Sequence, residues 1–231
     1  MNYFCGDTHG EFFFLNQSLR EAKNNDNYFI CGDFGYWDRS TFREGKGFYH
    51  NLIKNPHGAK IYFCDGNHEQ HFLLRELERE RGWEHPIEIK ENLFYCPRGS
   101  SLELRDGRRI LFAGGADSID KQWREAGVNW FPQETMKYSD YERMDLSKKY
   151  DIVVSHTCPL NCMSHMRELY KGVSLKTFDF TSDLLQSIFD RVRPKKWYFG
   201  HWHLYDTFEV EGCQFTVMNM SGRKNHIKKE L

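Results

Sequence analysis

No stretch of this 231-residue chain approaches about 18 consecutive apolar residues, so a membrane-spanning helix is not expected. Neither sign of charge dominates. Lys plus Arg is 32 and Asp plus Glu is 33, a formal net charge of −1. That balance excludes a polybasic nucleic-acid wrapper and an acidic tail protein. No basic segment with an apolar core precedes the first strand-like run, Asn2–Cys5, so a secretory leader is not expected. Cysteine is present without forming a framework. The seven are an odd number, spread through the chain, and Cys5, Cys31 and Cys64 each close an apolar run. Small buried thiols in a reducing, cytoplasmic setting fit that pattern. Cys158 and Cys162 are four residues apart but have no second pair to complete a structural zinc site. Repeats, low-complexity tracts and linkers are missing too. The length suits a single domain over 1–231, with an irregular, helix-bearing insertion at about 116–150.

What the chain does have is histidine, 11 of them, and 16% aromatic residues. Histidine is the commonest metal ligand and a frequent general acid. The useful question is whether the histidines converge.

Short β-rich runs predict strands at Asn2–Cys5, Tyr28–Cys31, Lys60–Cys64, Leu93–Cys96, Ser101–Arg105, Arg109–Ala113, Asp151–Ser155, Lys196–Phe199, Tyr205–Val210 and Gln214–Met218. Helical patterns lie between them at Glu11–Lys23, Phe42–Asn55, Glu69–Arg81, Glu134–Lys149 and Ser182–Arg193. Alternation of this kind implies βαβ units and a largely parallel sheet in the first half. Asp106-Gly107 and Glu211-Gly212 sit between β-rich runs and predict hairpins in the second half. A layered α/β sandwich with mixed sheets follows. Phe12-Phe13-Phe14 on the first helix is expected in the core.

Five polar clusters close predicted strands: Gly6-Asp7-Thr8-His9-Gly10, Gly32-Asp33, Asp65-Gly66-Asn67-His68-Glu69, His156, and Gly200-His201-Trp202-His203. In open α/β sheets ligands bind beyond the carboxyl ends of the strands, so these distant segments can meet. Asp7 and His9 are two apart, as are His201 and His203; extended backbone would point each pair the same way. Asp33 has two oxygens with which to bridge two ions, and Asn67 offers a neutral oxygen. Imidazole, carboxylate and amide together suit first-row cations such as Mn, Fe, Zn, Co or Ni.

The ordered set Gly-Asp-x-His, Gly-Asp, Gly-Asn-His-Glu, a lone His and Gly-His-x-His resembles the signature of the calcineurin-like metallophosphoesterases, and the resemblance runs from Gly6 to His203. It implies a four-layer αββα sandwich with two divalent transition-metal ions at the strand ends, manganese first among the candidates. Carried onto these positions, Asp7, His9, Asp33 and His203 would bind one ion, and Asp33, Asn67, His156 and His201 the other. His68 would not bind metal. The implied chemistry is hydrolysis of phosphomonoesters by in-line attack of a metal-bridging hydroxide. His68 would then be the acid that protonates the leaving oxygen, with Glu69 either orienting His68 or simply starting the next helix. Asp33 counts as catalytic because it would bridge the ions.

The motif Gly-Asp-x-His-Gly resembles the Ser/Thr protein phosphatase branch. There the second motif ends in an arginine that contacts phosphate; here Arg39 comes two residues later than that register. The full Gly-His-x-His is closer to phosphodiesterases and small phosphatases. The expected substrate is therefore a phosphoester, whether small molecule, phosphoprotein or nucleotide, with nucleic acid entering only as substrate. Arg39, Asn67 and Arg124 are the expected substrate contacts. In the segment Ala113–Lys121 and beyond, Arg124 would reach a phosphate oxygen, while Trp130 and Phe131 would anchor the insertion to the core. The alternatives are a phosphodiesterase acting on nucleotides, cyclic nucleotides or nucleic acid, and a non-catalytic binding module on the same scaffold.

Overall fold

Runs such as Tyr28-Phe29-Ile30 and Ile152-Val153-Val154 are β-branched and aromatic on both faces, as strands covered on both sides must be. The computed structural model describes residues 1–36, 53–170 and 179–230. Its strands are β1 (Asn2–Cys5), β2 (Asn27–Ile30), β3 (Lys60–Phe63), β4 (Ile87–Lys90), β5 (Leu93–Tyr95), β6 (Ser101–Glu103), β7 (Arg109–Ala113), β8 (Ile152–Ser155), β9 (Lys196–Phe199), β10 (Asp206–Val210), β11 (Cys213–Val217) and β12 (Ile227–Lys229). They form two six-stranded sheets, ordered β12-β1-β2-β3-β5-β4 and β10-β11-β9-β8-β7-β6. Each sheet has four parallel strands in the middle and one antiparallel strand at either edge. Both expected hairpins are present, as β6–β7 and β10–β11.

Period-two alternation divides each strand between two cores. Phe4, Phe29, Cys31, Tyr62 and Cys64 face inward and meet Ile110, Phe112, Val154 and Tyr198 of the other sheet. Phe4, Phe29, Tyr62 and Phe94 stack in sequence across four neighbouring strands, with centroids 5.2, 5.3 and 4.8 Å apart. Phe4 also stacks on Tyr198 across the gap at 3.6 Å. The alternate residues, including Tyr28, Ile30, Ile61 and Phe63, pack under α1 (Phe13–Leu19) and α2 (His71–Arg81). On the far side α4 (Met163–Leu169) and α5 (Phe180–Val192) cover Val153, Trp197, Phe199 and Phe215. The result is the four-layer αββα sandwich with mixed sheets. Among the described residues no helix is long and apolar enough to cross a membrane.

Three expectations need correcting. Only Phe12 of the phenylalanine triplet is core; Phe13 is 64% exposed and Phe14 37%, because the helix starts at Phe13, two residues later than expected, and turns them outward. The expected helix Glu134–Lys149 shrinks to α3 (Tyr138–Glu142). Arg98 takes the carbonyls of Gln133, Glu134 and Thr135 at 2.8, 2.7 and 2.9 Å, oxygens that an earlier helical turn would need. At the other end Asp145 Oδ1 accepts from Ser147 N and Oγ, a local turn that competes with the helix. The third concerns the paired ligand motifs, taken up below. The expected helix Phe42–Asn55 falls outside the described residues as far as position 52.

Candidate metal centre

Five parallel strands point their carboxyl ends at one place. β1 leads to Asp7 and His9, β2 to Asp33, β3 to Asn67 and His68, β8 to His156, and β9 to His201 and His203. The first three belong to one sheet and the last two to the other, so the cluster lies across the gap between the sheets. The chains approach closely. A Cβ on Gly200 would collide with Asp7 Oδ1, and one on Gly66 with Asp33 Oδ1; only glycine fits at these two points. The extended-backbone expectation for the paired motifs does not hold. His9, Asp33, His201 and His203 have φ of 47°, 45°, 67° and 51°, the left-handed region that ordinary residues seldom enter. The side chains converge through these tight bends, and such backbone is typical of functional sites.

The polar atoms crowd together. His203 Nε2 is 3.0 Å from Asp7 Oδ2 and 3.3 Å from His9 Nε2. Asp33 Oδ2 is 3.7 Å from His9 Nε2 and 3.3 Å from His156 Nε2. Asn67 Oδ1 is 3.1 Å from both His156 Nε2 and His201 Nδ1. Asp7, His9 and His203 form one group whose ligand atoms all lie within 4.8 Å, and Asp7, Asp33 and His156 form another. Asp7 is shared, and its carboxylate also accepts from His201 N at 3.1 Å. His156 Nδ1 lies 2.7 Å from the Cys31 carbonyl, so Nδ1 carries the proton and Nε2 turns its lone pair toward Asp33 and Asn67. Lone pairs therefore face one another, an arrangement that a cation relieves. Burial alone would lower His156, yet Asp33 and Asp7 push it up to about 10, so a proton and a cation compete for Nε2. Burial, with His156 adding to it, takes His201 down to about 3, which leaves its imidazole neutral and free to ligate. Carboxylate, imidazole and amide donors in this array fit first-row divalent metals.

His68 stands beside the cluster. Its backbone N–H donates to Asp33 Oδ1 at 2.7 Å, and its ring meets that of His9 edge-on at 5.1 Å. Arg124 brackets the ring, with Nη1 3.0 Å from Nδ1 and Nη2 2.8 Å from Nε2. Arg124 Nη2 also donates to Asp120 Oδ2 at 2.8 Å. Glu69 has neither role expected of it. Its buried carboxylate accepts from the backbone amides of Phe34 at 2.7 Å and Tyr36 at 2.6 Å, and α2 begins two residues later. It ties down the loop that follows Asp33. The motif Gly-Asn-His-Glu carried that information, because an acidic residue fixed behind two site residues has few other reasons to be buried.

A cleft of about 240 Å³ opens over these residues. Asp33, Asn67, His68, Arg124, His201 and His203 line it together with Asp120, Ile119, Tyr170 and Trp202. The last three give it an apolar wall, of which only Trp202 lies within a motif. Phe131 is buried and packs edge-on against Phe72 at 5.3 Å, one of several contacts that hold segment 116–150. Arg39 lies outside the described residues.

A carboxylate–imidazole cluster at the strand ends, between two facing mixed sheets, has the donor set of a divalent-metal centre. The chain belongs to the calcineurin-like phosphoesterase family, whose model matches residues 3–205. No curated protein matches the chain significantly. Among solved structures it is similar in fold to the phosphopantetheinyl hydrolase PptH of Mycobacterium tuberculosis, with 15% identity, a TM-score of 0.50, and coverage of 100% of this chain and 95% of that one. GAP50, the anchor in the inner membrane complex of Plasmodium, matches at 9% identity and a TM-score of 0.49, over 94% of this chain and 70% of that one.

Proposed function

We propose that the chain hydrolyses phosphomonoesters with the help of two divalent transition-metal ions, manganese foremost. The observation that carries this reading is the position of Asp33 Oδ2, 3.7 Å from His9 Nε2 and 3.3 Å from His156 Nε2. One carboxylate thus stands between two sets of imidazoles. Asp7, His9, Asp33 and His203 would hold one ion, and Asp33, Asn67, His156 and His201 the other. When bound, such a pair supplies a hydroxide near neutral pH and offsets charge on the phosphoryl oxygens.

The remaining work falls to the chain. Arg124 leaves His68 and Asp120 and donates to two phosphoryl oxygens, as a guanidinium fork is shaped to do. His68, released from that contact, delivers a proton to the leaving oxygen; Asn67 steadies the phosphoryl group. Ile119, Tyr170 and Trp202 receive the organic part of the ester and exclude water. The same apolar wall supports a second reading, a phosphodiesterase, since a diester brings a second organic group. The seven free, buried cysteines support a cytoplasmic setting.

Turnover of para-nitrophenyl phosphate and of its bis ester, measured with added manganese and with chelator, tests the reading. Faster hydrolysis of the monoester, lost on chelation, is expected. Preference for the bis ester and for cyclic nucleotides would give the second reading precedence. Failure on both esters with every metal would sink the function.

A further inference from the structure

A carboxamide carries a donor end and an acceptor end on one stem. Asn67 can therefore serve a cation only when Oδ1, and not Nδ2, points into the cluster. We infer that Ser118 and Glu134, both from segment 116–150, set that choice through a hydrogen-bond relay and are positioning residues for the metal centre. This rests on the metal-dependent reading above.

The relay has one polarity. The Glu134 carboxylate accepts twice from a single residue, at Oε1 from Ser118 N (2.6 Å) and at Oε2 from Ser118 Oγ (2.8 Å). Having given its only proton to Glu134, the Ser118 hydroxyl can only accept on its other side. Asn67 Nδ2 donates to it there, at 3.0 Å. The amide is thereby turned so that Oδ1 faces His156 Nε2 and His201 Nδ1, each at 3.1 Å. Asn67, Ser118 and Glu134 are 4%, 2% and 1% exposed, so bulk water does not replace any link. The relay is also anchored. The Glu134 carbonyl accepts from Arg98 Nη2 at 2.7 Å, and the same nitrogen donates to Asp65 at 2.6 Å, two residues before Asn67. One guanidinium thus holds both the loop that carries the ligand and the residue that orients it. A flipped amide would set N–H groups, with no lone pair to give, against the cation.

Calorimetric titration with Mn²⁺, and the visible absorption of the Co²⁺-loaded chain, test this on Ser118→Ala and Glu134→Gln. The first removes the acceptor for Asn67. The second can keep an oxygen for Ser118 N while presenting an NH₂ to Ser118 Oγ, which frees the hydroxyl proton to point at Asn67 and favours the flipped amide. In each, one binding step should weaken by about 10–100-fold, the range for the partner of a ligand. The other step should stay unchanged, and only one set of cobalt bands should move. Equal losses at both steps together with a fallen melting temperature would show a packing role and overturn the inference. Unchanged titrations in both variants, with a wild type that binds two ions, would overturn it alone. A wild type that binds no divalent ion would overturn the metal-dependent reading and the relay with it.

Discussion

Asp33 and Asp65 follow neighbouring parallel strands, β2 and β3, each within two residues of a buried cysteine, and both are almost fully buried. Their surroundings differ in one respect. Asp65 is met by the chain's own permanent cations: Arg98 Nε and Nη2 at 3.0 and 2.6 Å and Arg75 Nη2 at 3.0 Å. Burial alone would raise its carboxyl, yet Arg98 and Arg75 take it down to about 2. Asp33 is met by imidazoles and a backbone N–H. A guanidinium has no lone pair to offer and never gives up its charge, whereas an imidazole can be a neutral ligand. The same residue type in the same sheet is therefore a strut in one place and a proposed cation ligand in the other.

The sharpest break of this comparison is Asp33→Asn. It should abolish turnover and weaken ion binding by more than about 100-fold, beyond the cost of losing a ligand's partner; calorimetry and a phosphatase assay check both. His68→Ala should cut turnover by about 10²–10⁴, the usual worth of a positioned acid, yet keep both ions, which separates the ion ligands from the chemistry beside them. If it loses ions as severely as Asp33→Asn, His68 belongs to the ligands. Arg98→Ala should act on the other carboxylate, costing about 3–5 kcal/mol in chemical denaturation by leaving buried Asp65 only Arg75 of its two guanidinium partners. Stability near that of the wild type would mean that Asp65 is not held as described. The smallest effect concerns pH. Burial would raise Asp140, but Arg98 and Arg75 hold its carboxyl below the usual carboxylate range. A carboxyl lowered on folding stabilises the fold above its unfolded value of 3.8 and loses that contribution as the pH falls further. The stability gap between wild type and Asp140→Asn should accordingly narrow below pH 3.8.

The strand ends were legible because β-rich runs stop at Gly, Asp and His, and the two hairpins because Asp-Gly and Glu-Gly sit between such runs. Two edge strands escaped. Ile87-Glu-Ile-Lys and Ile227-Lys-Lys are short and partly polar, as edges often are, and carry little signal of their own. The shortened helix at 138–142 could not be read either, since its limit is set by Arg98, some 40 residues away. The site's ligand types were plain in the motifs, but Ser118 and Glu134 belong to no pattern. Their roles come from hydrogen bonds that span 51 and 16 residues, and spacing does not encode those.

Trp202 lies between two of the site's histidines in the chain, is 9% exposed, and has its ring 5.9 Å from that of His201. An indole so near a paramagnetic ion loses its excited state to that ion before it can emit. With an ion held at His201, as proposed, the chain would carry its own optical gauge. Tryptophan fluorescence should fall as manganese or cobalt is added and recover on chelation, so loading could be followed at micromolar protein without any label.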